Sequence, residues 1–231
     1  LGVGGFSGSR NADFVSFTGS SATGRLVGRQ AGERRVGASR ERGGKNPALV
    51  LADADVGKAA DVLARACFTG AGQVCVSVER VYVHASIYDD FLPRFLRRVG
   101  ELRLGVGVGW GYDVGTLVSA QQFERVTRHI EDARAQGAEV LTGGRPRPDV
   151  GPYVVEPTVL RGVRPGMLAF DDETFGPVVA VSRVASDDEA VEAANDSPYG
   201  LLGVVLSGSL RHGTDVAKRI RCGGVAVNES F

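Results

Sequence analysis

Apolar positions along the chain alternate between short continuous runs and stretches with helical spacing, so strands and helices are expected to follow one another throughout. Residues 10–24 contain DFVSFTGSSATG, which reads as a strand, a tight turn and a helix starting at Ser21. The unbroken apolar run of residues 48–51 predicts a buried strand. Asp55 then caps a helix in which Ala59, Val62 and Ala66 recur toward Phe68. RVYVH at 80–84 reads as a strand, and residues 86–89 open an amphipathic helix that turns Phe91, Phe95 and Val99 inward. A capping box at 119–122 starts a helix with Phe123, Val126, Ile130 and Ala133 on its inner face and Gly137 as its stop. Residues 175–184 form the next predicted strand, and a second capping box at 186–189 leads a helix that ends before Pro198. Strands at 201–206 and 224–227 follow, separated by a helix beginning near Thr214. This alternation predicts an α/β architecture on a largely parallel sheet flanked by helices, with a boundary near Gly43 and Gly44.

Composition narrows the function classes. The 231 residues are 43% hydrophobic, enough for one large or two modest domains. Lys plus Arg and Asp plus Glu both number 27, so no charge excess recruits nucleic acid or an anionic membrane. Cys67, Cys75 and Cys222 lack CxxC spacing, which suggests neither disulfides nor a metal site and fits a reducing cytoplasm. No apolar run approaches the roughly 18–20 residues of a membrane span. The start LGVGGFSGSR has neither a signal-peptide pattern nor an initiator Met, and the chain reads as a fragment.

Two residues stand out chemically. Cys75, in AGQVC, lies just past a predicted helix, where turn N–H groups can stabilise a thiolate and an oxyanion. A small buried hydrophobe is its competing reading. Glu41, before Gly43 and Gly44, has little side-chain cover and can reach a cleft, where desolvation raises a carboxylate's pKa. A solvated charge is the alternative there. Cys67 is expected to be structural, and Cys222 has no supporting motif. The glycine-rich run 105–111 fits no phosphate-loop spacing and reads as a flexible turn. The basic stretch 25–42 reads as a solvated face, and His84, His129 and His212 as ordinary histidines without partners.

Longer motifs occur in fixed order: FTGS at 17–20 with Gly24, Glu41-x-GGKNP, GQxC ending at Cys75, Glu79-Arg80, ETFGPV at 173–178, ANDSPYGL at 194–201 and GVAVN at 224–228. Together, from Phe14 to Asn228, they resemble the aldehyde dehydrogenase superfamily, with the 34-position separation of Glu41 and Cys75 that its pattern requires. That resemblance implies an aldehyde dehydrogenase-like fold, with residues 1–43 as the end of a Rossmann-like NAD(P)-binding domain. Residues 44–231 would be the catalytic thiol domain, incomplete at its C-terminal end. It further implies that Cys75 attacks an aldehyde to give a thiohemiacetal, that hydride leaves for NAD or NADP, and that water activated by Glu41 hydrolyses the thioester. The Cys75 N–H would supply half of the oxyanion hole, and a family Asn that lies before this chain begins would supply the rest. Gly19 and Ser20 match the turn packed on the dinucleotide, Glu173 the ribose-binding carboxylate and Phe175 an apolar wall beside it. Lys45, Asn46 and Asn228 are read as holding loops, and Pro47 and Pro177 as rigidifying turns before strands.

Within the superfamily, ACFTGAGQVCVSVERVYVH and RPDVGPYVVEPTVL most resemble bacterial succinate-semialdehyde dehydrogenases. A small-molecule aldehyde is therefore the expected partner, in a homo-oligomer when full length, with no nucleic acid and no membrane. The chain departs from the family at residues 1–13 and at Arg42, where the family usually carries Leu. A guanidinium there is expected to pair with Glu41 and lower its pKa. The competing reading is a truncated, catalytically inactive relative that serves as a folded or oligomerising module. A cysteine hydrolase is disfavoured, because no His motif accompanies Cys75.

Overall fold

A computed structural model describes residues 12–230 except Val108 and Trp110. The chain divides at Gly43/Gly44 into two units. The reading of 105–111 as a flexible turn thus falls partly outside the described residues, as do positions 1–11.

The smaller unit is a β-α-β element. Strand β1 (Phe14–Gly19) and strand β2 (Gly37–Arg42) pair in parallel, with helix α1 (Ser21–Arg34) between them. Ser20 caps α1 by accepting from the Thr23 N–H, and Arg35 ends it in the left-handed region at φ 61°. Sequence reasoning assigned 25–42 to a solvated face and did not foresee β2. The reason is visible in its composition: GASRER lacks the apolar alternation of a half-buried strand. Its pairing comes from backbone bonds to β1 instead.

The larger unit carries a seven-stranded sheet in the order β5-β6-β7-β4-β3-β8-β9. Its strands are β3 (Asn46–Val50), β4 (Val78–His84), β5 (Glu139–Thr142), β6 (Thr158–Arg161), β7 (Val178–Val184), β8 (Leu202–Leu206) and β9 (Gly224–Val227). All neighbours run parallel except β5 and β6. The helices are α2 (Val56–Phe68), α3 (Ala85–Gly100), α4 (Ala120–Ala135), α5 (Leu168–Asp171), α6 (Asp187–Asn195) and α7 (Leu210–Ala217).

Both sheet faces are covered, as a parallel sheet requires. Ala48, Val50, Val81 and Val83 pack into one core with Leu63, Phe91 and Phe95, while Leu49, Leu51, Tyr82 and Val205 pack into another with Val191 and Val216. The period-2 alternation of strand side chains divides the residues of β3 between the two cores. Side-chain caps at Asp55, Ser119 and Ser186 start helices where the sequence places them.

Several expectations are corrected. The helix expected near Thr214 begins at Leu210 under a Ser209 cap. The helix expected to open at 86–89 begins at Ala85, with the His84 ring accepting from the Ser86 N–H. Pro47 lies inside β3, at an irregularity between Asn46 and Pro47 that spares the ladder its missing N–H. Strands β5 and β6 were not foreseen, because both are four residues long and become strands only by pairing at the sheet edge. All three histidines have partners, His84 within its own turn at Ser86 and the other two far along the chain. His129 is buried and its Nδ1 lies 3.1 Å from Thr174 Oγ1, and His212 Nε2 lies 2.7 Å from Asp187.

Candidate active site

Cys75 follows α2 through a tightly wound turn. After Phe68 the chain makes a tight turn (Thr69–Gly72) in which Gly70, Ala71 and Gly72 all have positive φ. A Cβ on Gly72 would stand 2.1 Å from the Gly176 carbonyl oxygen, so only glycine allows the two loops to touch. Gln73 fastens the next step: its amide donates to the Gly70 and Thr116 carbonyls, and its oxygen accepts from the Val118 N–H at 2.8 Å.

Cys75 itself is half-buried, and its carbonyl accepts from Asn46 Nδ2 at 2.9 Å. The same amide reaches the Ser77 carbonyl at 2.7 Å, and Asn46 Oδ1 accepts from the Leu202 N–H. Among the described residues, the Cys75 N–H donates to nothing. A partly exposed thiol beside a free N–H, on a turn pinned through its carbonyl, suits nucleophilic attack with local stabilisation of the oxyanion formed. Cys67, by contrast, is buried and burial pushes its thiol well up, which keeps it protonated and inert.

Gly44 joins this turn to Glu173. Its N–H donates to Glu173 Oε1 at 2.8 Å, and a Cβ on it would lie 2.8 Å from the Cys75 carbonyl oxygen. Cys75, Glu173 and Phe175 are thereby brought together, ahead of strands β4 and β7, at the amino ends of the parallel strands. Burial raises the Glu173 pKa, opposed by the Gly44 N–H. Its Oε2 accepts no hydrogen bond among the described residues, which leaves an acceptor for a ligand hydroxyl.

Sequence reasoning missed the machinery beneath residues 173–175. Glu79 and Lys45 form a buried pair at 2.6 Å, with side chains only 4% and 1% exposed. Glu79 also accepts the N–H groups of Thr174 and Phe175, the latter at 2.9 Å. Gln122 Nε2 donates to the Thr174 and Phe175 carbonyls at 2.9 and 2.7 Å, and Arg125 donates to the Glu173 carbonyl. Lys45 adds a bond to Thr174 Oγ1, and its burial lowers its pKa despite the partner carboxylate. One signal was available: a Lys before an apolar strand and a Glu within another are rarely buried unless paired. Gln122, expected to complete a capping box, instead uses its side chain on this loop.

Gly19, Ser20 and Glu41 belong to the smaller unit. Gly19 and Ser20 form the β1–α1 turn, where α1 carries no acidic residue in its first turn and so presents unneutralised N–H groups suited to a phosphate. Glu41 is exposed near the end of β2, so the burial expected of it is not supplied by the described residues. The anticipated pairing with Arg42 is absent too. A Cβ on Gly24 would meet the Arg42 stem at 2.8 Å, and one on Gly28 the Arg40 guanidinium, so both arginines lie across α1. Successive strand residues face opposite ways, which sends Glu41 to the other side. Among the described residues, no cluster of His, Cys, Asp or Glu is arranged to hold a metal, and no helix is long and apolar enough to cross a membrane.

Residues 5–231 match the model of the aldehyde dehydrogenase family. A Mycobacterium tuberculosis protein named "Putative succinate-semialdehyde dehydrogenase NADP(+) 2" is 47% identical over 221 residues, 96% of this chain and 43% of the relative. "Succinate-semialdehyde dehydrogenase NADP(+) 1" of Schizosaccharomyces pombe is 41% identical, over 93% of this chain and 43% of its own length. Among solved structures, betaine aldehyde dehydrogenase from Staphylococcus aureus in complex with NAD+ superposes with a TM-score of 0.94 at 33% identity, covering 100% of this chain and 47% of that one. The chain thus spans less than half the length of these relatives.

Proposed function

Because the chain belongs to the aldehyde dehydrogenase family, we propose that it is the nucleophile-bearing portion of an enzyme that oxidises an aldehyde to a carboxylic acid with NAD+ or NADP+. Succinate semialdehyde is the proposed substrate, on the names of its relatives. The carrying observation is Cys75: a half-buried thiol on a turn anchored by Asn46, with its own N–H uncommitted. Its thiolate adds to the aldehyde carbon, and the Cys75 N–H faces the charge that develops on oxygen. Loss of hydride from that carbon leaves a thioester on Cys75. Glu41 then takes a proton from water, the water oxygen adds to the thioester carbon, and the thiolate departs as the acid forms.

NAD+ or NADP+, when bound, supplies the hydride acceptor. The residues present fit such a group. Gly19 and Ser20 offer an uncrowded turn and a helix N-terminus to the pyrophosphate, Glu173 a free carboxylate oxygen to a ribose hydroxyl, and Phe175 an apolar face beside it. In this reading residues 1–43 are the end of a dinucleotide-binding domain and residues 44–231 the thiol domain. A cytoplasmic homo-oligomer is part of the same reading, in keeping with three free cysteines and a balanced charge.

The test is to supply succinate semialdehyde with NAD+ or NADP+ and follow reduced nicotinamide in the parent protein and in Cys75→Ala. Turnover that disappears in the variant is expected, and turnover that survives it overturns the reading. A parent that neither turns over nor binds either dinucleotide identifies the chain as a folded module without catalysis.

A further inference from the structure

The segment 173–175 has no backbone partner for any of its peptide groups. Each of its N–H and C=O groups is instead bonded to a side chain. The Glu173 N–H donates to Tyr199 and its carbonyl accepts from Arg125, the Thr174 and Phe175 carbonyls accept from Gln122, and the Thr174 and Phe175 N–H groups both converge on Glu79. Phe175 also holds φ at 53°, a conformation that an aromatic residue keeps only when its surroundings over-determine it.

Of these fasteners, Glu79 is the one that lies wholly inside the protein. Its two oxygens take Thr174 N at 3.1 and 2.9 Å and Phe175 N at 2.9 Å, while the Lys45 ammonium balances its charge at 2.6 Å. A carboxylate accepting two neighbouring N–H groups forms a rigid fork, stronger than two neutral bonds. Lys45 is continuous in sequence with Gly44, whose N–H grips the Glu173 carboxylate from the opposite side. The ion pair therefore links the strand that presents Gly44 to the loop that presents Glu173.

We propose that Glu79 is a positioning residue that sets the Glu173 carboxylate and the Phe175 ring for the nicotinamide end of the dinucleotide, without acting on the thiol chemistry of Cys75. This rests on the assignment of Glu173 as a dinucleotide contact. Glu79→Gln keeps the shape of the side chain but replaces one oxygen with a donor, so one of the two N–H groups loses its acceptor and the Lys45 charge its balance. The loop relaxes, and the ligand atoms that meet it lose their alignment. Ligand atoms that do not meet this loop keep theirs.

The experiment compares equilibrium binding of NADH and of ADP, or of NADPH and 2′-phospho-ADP if that pair binds the parent more tightly. Glu79→Gln is expected to weaken the reduced dinucleotide by about tenfold, as loss of a charge-assisted hydrogen bond does. The ligand without nicotinamide and its ribose is expected to bind as before, and iodoacetamide to alkylate Cys75 at an unchanged rate. A general loss of structure would weaken both ligands and change the alkylation rate as well. Gln122→Ala, which frees the two carbonyls of the same loop from a half-buried position, is expected to show the same selective pattern and carries the test if Glu79→Gln fails to fold. Glu173→Gln separates the two layers of argument. If it weakens the reduced dinucleotide while Glu79→Gln and Gln122→Ala do not, the positioning role is overturned. If Glu173→Gln itself has no effect, the assignment of Glu173 falls and takes the proposal with it.

Discussion

The Asn46 side-chain amide holds the Cys75 carbonyl oxygen at 2.9 Å, and through that bond the turn carrying the thiol is tied to the first strand of the larger sheet. Asn46 also holds Ser77 and Leu202, so a single buried amide joins β3, the Cys75 turn and β8. Asn46→Ala leaves two carbonyls and one N–H without their partner, and is expected to destabilise the fold by about 2–3 kcal/mol. Asn46→Asp is expected to be worse, because it aims a carboxylate at two carbonyl oxygens. Urea unfolding of the two variants checks the order; an Asp variant as stable as the parent would refute it.

Glu41 and Arg42 are neighbours in sequence but leave β2 on opposite faces, Arg42 across Gly24 of α1. Glu41→Gln is expected to yield one enzyme equivalent of reduced nicotinamide and then stall, since thioester formation does not need the base while hydrolysis does. Arg42→Leu is expected to leave thioester hydrolysis within about twofold of the parent, because exposed charges on opposite faces couple weakly. Rapid-mixing kinetics distinguish the steps, and a stall in Arg42→Leu would show that the arginine matters to the base after all.

His129 is buried against Thr174, and burial, aided by the nearby Lys45, Arg125 and Arg128 charges, pushes its pKa down to about 3. The folded chain keeps the ring neutral, whereas the unfolded chain takes up a proton near pH 6.5. Acid therefore favours unfolding as pH falls from about 6.5 toward about 3. Between pH 7 and pH 5 this one group is expected to remove about 2 kcal/mol of stability. His129→Leu is expected to flatten that slope by a comparable amount. An unchanged slope in urea titrations at the two pH values would exclude His129 as its source.

His212 titrates the other way. Hydrogen bonds to Asp187 first and then to Asp53 raise its pKa, so the protonated ring bridges α6 and the loop after β3. Its contribution is present in full below about pH 6.5 and fades as pH rises through the raised folded value. The stability gap between the parent and His212→Gln is expected to be widest near pH 5.5 and to close in alkali. A gap independent of pH would mean that the bridge does not depend on the charge.

Much of the fold was legible because its determinants are local. Ser20, Asp55, Ser119 and Ser186 each cap a helix through an N–H three residues on, and the apolar runs of β3 and β8 announce buried strands by composition alone. Strands β2, β5 and β6 were not legible, since they carry no pattern of their own and take their form from the strand they pair with. The partners of His129 and His212 were hidden for the same reason, with Thr174 and Asp187 lying 45 and 25 positions away from them.

By itself the sequence determined the alternation of strands and helices, the order of motifs around Cys75 and the candidate residues for the chemistry. The tertiary structure alone decided that Asn46 fastens the Cys75 turn, that Arg42 turns away from Glu41 and that Glu79 carries the loop of Glu173 and Phe175. The physical reason is distance along the chain. Caps and hydrophobic periods act within a few residues, but the bonds from Gly44 to Glu173 and from Thr174 to Glu79 join positions 129 and 95 apart. Such partners become neighbours only when β3, β4 and β7 stack in register, and burial then makes each of those bonds costly to lose.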